Sequence, residues 1–102
     1  MVKVKVALYV TLEARAGKEA DLAAFLNQGL ALANEEQTTP VWFALRHGPT
    51  TFAIFDAFAD DHGRDAHLGG PIAKALMAKA PELLASPPRI EKVDVLGAKL
   101  PG

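Results

Sequence analysis

An acid, an aromatic residue and a histidine follow one another at a spacing suited to proton chemistry: Asp56, Phe58 and, nine residues on, His67, all within the run from Thr51 to Pro71. Imidazole titrates near neutrality, so His67 can take a proton from a phenolic oxygen or donate a hydrogen bond to it. Asp56 can orient that ring or a substrate hydroxyl. Each residue also has a plainer role open to it. A histidine in a last helical turn can cap carbonyls and favour the negative end of the helix dipole, and an acid at a strand end can make backbone or arginine contacts. Phe52, Ile54 and Phe58, with Trp42 and Tyr9 from other strands, can line an apolar pocket for a small aromatic or hydrophobic molecule, or can be ordinary core.

Other chemistries are poorly served. His62 and His67 are five residues apart, about 140° around a helix, so they do not share a face as metal ligands usually do. His47 falls on another element. No metal is expected, and with no cysteine in the chain, disulfides and thiolate chemistry are excluded. A formal charge of -1 with interspersed signs argues against nucleic acid or an anionic membrane as partner. No stretch is long and apolar enough to span a bilayer, and the alternating Met-Val-Lys-Val-Lys-Val start reads as a strand rather than an export signal, so the expected location is cytoplasmic.

The elements that must position these residues are legible from periodicity. Residues 51 to 58 alternate as a strand, Asp60 and Asp61 cap the helix that carries His67, and Gly69, Gly70 and Pro71 close that helix and open another. A first strand is expected from about Val2 to Leu12. Helix one follows Gly17, with Leu22, Phe25, Leu26, Gly29, Leu30 and Ala33 forming one apolar stripe. Pro40 opens a second strand, Val41 to His47, which forms a hairpin with the third through His47-Gly48-Pro49-Thr50. Pro81 is expected to start a separate short helical piece, and Ile90 to Leu96 a last strand before a Gly-Ala-Lys-Leu-Pro-Gly tail.

The order βαββαβ predicts one ferredoxin-like α+β domain over residues 1–102, with a four-stranded antiparallel sheet and its helices on one face. Both faces of that sheet are apolar. A second copy of the chain is the simplest cover for the open face, giving a homodimer packed sheet to sheet, with the tail from Gly97 reaching the partner. Gly29 and Ala33 on the core stripe of helix one are expected to leave a cavity between helices and sheet.

At this point the chain resembles the antibiotic biosynthesis monooxygenase family, over nearly its whole length. The resemblance rests on Arg-Ala-Gly-Lys-Glu at Arg15 to Glu19, on the order of elements, and on Asp56-Ala57-Phe58 followed by His67-Leu68, where family members carry Glu-x-aromatic and a His-Leu pair. It implies a dimeric α/β barrel and a cofactor-free monooxygenase, in which a deprotonated phenol or hydroquinone itself supplies an electron to dioxygen. Phe52, Ile54, Phe58 and helix one would form the cage, and His67 with Asp56 would handle the proton. Quinone-forming members place Asn and Trp where Ile54 and Phe58 stand here, and a second histidine is replaced by Ile72. The position nearest the iron-ligating histidine of haem-degrading relatives is Met77. These departures keep a second reading open, a dimeric barrel that binds a small hydrophobic molecule without turning it over. RNA-recognition and acylphosphatase proteins share the topology, but the basic-Gly start of the one and the Gly-rich phosphate loop of the other are missing.

Overall fold

The computed structural model describes residues 3–101, so Val2, the expected start of the first strand, lies outside the described residues. The chain runs β1 (Val6–Glu13), α1 (Glu19–Glu35), β2 (Val41–Arg46), β3 (Thr51–Phe58), α2 (Asp61–Leu68), α3 (Pro71–Leu83) and β4 (Arg89–Asp94). The strands form one antiparallel sheet in the order β2-β3-β1-β4, with the helices over one face, a ferredoxin-like α+β fold.

Directly paired residues point to the same side of a sheet. Register therefore sorts the side chains. Leu8, Val10 and Leu12 pair with Asp56, Ile54 and Phe52, and Trp42 pairs with Asp56 from the other side, so all seven share the helix-covered face. Val10, Leu12, Phe52 and Ile54 join Leu22 and Leu26 of α1 and Leu76 and Leu83 of α3 in the main core. Fully burying each such side chain stabilises the fold by roughly 1.5–3 kcal/mol. Asp56, wholly buried in this apolar row, is the anomaly.

The opposite face carries Tyr9, Phe43, Leu45, Phe55 and Val93. Phe43 and Phe55 stack across strands at 6.5 Å, while Tyr9, Phe43, Leu45 and Val93 all remain exposed.

Two elements depart from the periodicity reading. Pro81 does not begin a new helix: α3 runs through it to Leu83. So close to the helix end its missing N–H removes a single ladder bond, and Arg15 Nη2 donates to the Pro81 carbonyl at 2.8 Å. The last strand stops at Asp94, two residues short of Leu96, which is fully exposed.

Candidate functional site

The position of His67 is set by how closely α2 approaches the sheet. Asp60 Oδ1 accepts from the Gly63 N–H at 3.0 Å, capping the helix. Arg64 Nη1 reaches the carbonyls of Ala7 and Val93 at 3.3 and 3.4 Å, tying the helix to β1 and β4. Gly63 faces the chain directly: a Cβ there would stand 3.0 Å from the Thr38 carbonyl oxygen and 3.5 Å from Phe58 Cβ. One turn further on, His67 meets β3.

There it lies between two carboxylates. Nδ1 is 2.6 Å from Glu36 Oε1 and Nε2 is 2.8 Å from Asp56 Oδ2, with His67 only 6% exposed and Asp56 0%. Thr39 Oγ1 donates to the same Glu36 oxygen at 2.8 Å, and the Phe58 ring stands 5.4 Å from the imidazole. Asp56 Oδ2 is engaged by His67 at ion-pair distance, while Asp56 Oδ1 is buried without a partner among the described residues. Glu36 Oε2 is likewise buried without a partner among the described residues.

Burial is the strongest single influence on His67 and pushes its pKa down. The hydrogen-bonding and charge contributions of Asp56 and Glu36 together outweigh it and raise the pKa above the ordinary 6.5. The two carboxylates thus favour the imidazolium form over the neutral ring. Both nitrogens face carboxylates, so no lone pair of the ring is turned toward a substrate. Nor does the side chain cap the helix: the closing bonds run from the Gly69 N–H to the Asp65 carbonyl and from the Gly70 N–H to the His67 carbonyl. Glu36 and Asp56 sit at opposite nitrogens and do not converge on a point, and among the described residues no cluster of three His, Asp or Glu side chains is arranged to hold a metal ion.

An apolar cavity of about 220 Å³ opens beside this cluster, between α1, α3 and the sheet, with Phe25, Leu26, Gly29, Trp42, Ile54 and Leu76 among its walls. Gly29 makes room for the indole of Trp42, whose Cζ2 and Cη2 would stand 3.4 Å from an added Cβ. Trp42 Nε1 is buried and has no partner among the described residues.

The two glycines predict opposite outcomes. At Gly29 the added methyl meets the ring edge at contact distance, so Gly29→Ala is expected to gain roughly 0.5–1 kcal/mol from helix propensity. At Gly63 it meets backbone, and overpacking worth roughly 1–3 kcal/mol should outweigh the same gain. Thermal melting of both variants checks the signs.

The sequence-named residues divide three ways. Asp56, Phe58 and His67 form the buried cluster. Trp42 and Ile54 wall the cavity, and Ile54 is two residues from Asp56 on the same face. Phe52 lies in the core beneath the Arg46 guanidinium, 5.0 Å from ring centre, and Tyr9 belongs to the open face of the sheet. Glu36 and Thr39 escaped the sequence reading. One signal was available: Glu35-Glu36 places two acids at the C-terminal end of a helix, where the dipole disfavours anions.

Comparison with known proteins gives a relative and a fold. No protein-family model matches the sequence, and neither does any curated protein. A protein of unknown function from Nitrosomonas europaea, NE2512, is 62% identical with a TM-score of 0.95, covering 97% of this chain and 96% of that one. Two more distant structures are each named a "putative antibiotic biosynthesis monooxygenase". The one from Nitrosomonas europaea is 13% identical, with a TM-score of 0.80 over 94% of this chain and 95% of its own. The one from Caulobacter crescentus is 19% identical, with a TM-score of 0.78 over 93% and 92%. The chain therefore belongs to one family with NE2512 and has the fold of the antibiotic biosynthesis monooxygenase-like structures.

Proposed function

We propose that the chain is a cofactor-independent monooxygenase that takes a phenol or hydroquinone into the cavity between α1, α3 and the sheet and oxidises it with dioxygen. The observation that carries this reading is a juxtaposition: an apolar cavity walled by Ile54, and one step along the same strand face a buried carboxylate, Asp56, paired with His67. The fold shared with the monooxygenase-named structures supports the reaction class.

In this mechanism the phenolic proton passes to Asp56, because both nitrogens of His67 already face carboxylates. His67 is then a positioning residue that holds the Asp56 carboxylate in place. The phenolate gives one electron to dioxygen, and the resulting superoxide joins the ring radical at a carbon bearing hydrogen, forming a C–O bond. Loss of that hydrogen as a proton and cleavage of the O–O bond leave a quinone and water. The balance is phenol plus dioxygen to quinone plus water. The apolar walls exclude water from the reactive intermediates.

Aerobic incubation with a panel of phenols and hydroquinones tests the proposal: equal amounts of oxygen consumed and quinone formed are expected. A second reading, binding without turnover, is favoured by the fact that neither Asp56 nor His67 is among the residues lining the cavity. Binding with no oxygen uptake across the panel would select it. Trp42, the single tryptophan, provides a fluorescence signal for binding in either case.

The proposed assembly is a homodimer closed through the open face of the sheet. Phe43 is 53% exposed there, on the same face as exposed Tyr9, Leu45 and Val93, and apolar side chains gathered on one open face mark an interaction surface. Light scattering is expected to show a dimer, and Phe43→Glu a folded monomer, since this side chain contributes little to the core of its own chain. A wild-type monomer at micromolar concentration would remove the dimer.

A further inference from the structure

We infer that Trp42 and Asp56 act as a pair that recognises a hydroxyl group on the ligand, Trp42 donating through Nε1–H and Asp56 accepting. The inference rests on the cavity reading above. The two residues are direct cross-strand partners on the helix-covered face, so their Cβ atoms are neighbours. Each carries a buried polar group without a partner among the described residues: a donor at Trp42 Nε1, and an acceptor at Asp56 Oδ1. Buried polar groups are almost always satisfied, by protein, water or ligand. Here donor and acceptor do not bond to each other, and a single group standing between them would satisfy both.

The indole locates that group. Nε1 is joined through one carbon to Cζ2, the ring atom that approaches Gly29, and Gly29 and Trp42 both wall the cavity. A hydroxyl both accepts and donates, and meets both demands. An ether or ketone satisfies Trp42 and leaves the carboxylate bare. A carboxylate ligand is repelled by Asp56, and an ammonium cannot accept from the indole. A cavity of roughly 150 Å³ holds benzene. At about 220 Å³ this one suits a hydroxylated molecule of one or two rings.

Titration calorimetry with 1-naphthol, its ether 1-methoxynaphthalene and naphthalene tests the pair on the unaltered protein. The naphthol is expected to bind at least roughly tenfold more tightly than the ether, the scale of a buried polar group left unsatisfied. In Trp42→Phe, which keeps an aromatic ring and removes the N–H, naphthol and ether should both weaken more than naphthalene, which has no oxygen to accept from the indole, while naphthol keeps its advantage over the ether through Asp56. Equal affinities of naphthol and ether in the wild type, or equal losses for naphthalene and both oxygen compounds in the variant, overturn the hydroxyl recognition and leave the cavity reading standing. Failure of all three compounds to bind overturns the cavity reading, and this inference with it. If the variant does not fold, the wild-type comparison decides alone.

Discussion

Replacing His67 by alanine is expected to lower stability by about 3–5 kcal/mol, among the largest losses a single substitution in this chain can produce. The imidazolium separates two carboxylates at 2.6 and 2.8 Å, and its removal leaves Glu36 and Asp56 buried with no cation between them. A residue that only favoured a helix end would lose roughly 0.3–1 kcal/mol. For a domain of this size each kcal/mol moves the melting temperature by about 4–8 °C, so the two cases differ by about 8 °C or more. The pH dependence has a definite sign. Because the folded pKa of His67 is raised above 6.5, its stabilisation is complete below that value and is lost as pH rises through the folded pKa. Wild-type melting temperature should decline over that window, whereas His67→Gln, with no charge to lose, should show no such step. A wild-type protein that grows more stable across the same window would contradict the charged-ring account.

Periodicity carried most of the fold, for a physical reason: the alternation in β1 and β3 and the 3.6-residue stripe of α1 are each generated by one element meeting one core. The grouping of Asp56, Phe58 and His67 was legible too, since strand, cap and helix follow one another directly. Glu36 and Thr39 were not, because they come from the end of α1 and the loop after it and meet His67 only through tertiary packing. The histidine's missing partner in the sequence was therefore a long-range one, 31 residues away. Pro81 misled for the opposite reason. A local rule marked a helix start, yet tertiary contacts through Arg15 and the Ala14–Leu84 bridge hold the helix through it. Trp42 was readable as a pocket residue, but its unpartnered N–H depends on a register no single strand reveals.

Asp56→Asn is expected to reduce oxygen uptake by roughly 10²–10⁴-fold, the usual range for loss of a general base. The amide matches the carboxylate in shape, so the cavity walls Ile54 and Trp42 stay in place, but it cannot take the phenolic proton. The variant also loses the ion pair with His67, so a fall in stability alone proves nothing about catalysis. The discriminating measurement is the division between kcat and KM at a temperature where the variant is fully folded. A proton acceptor acts in the transition state, so kcat should collapse while substrate affinity changes far less. A positioning residue behaves differently: His67→Gln still offers Asp56 a hydrogen-bond donor and should retain more turnover than Asp56→Asn. If both variants turn over within a few-fold of wild type, Asp56 is not the base. The cluster of Glu36, His67 and Asp56 would then be read as the clasp that joins the end of α1 and α2 to β3, with the chemistry, if any, confined to the apolar cavity beside it.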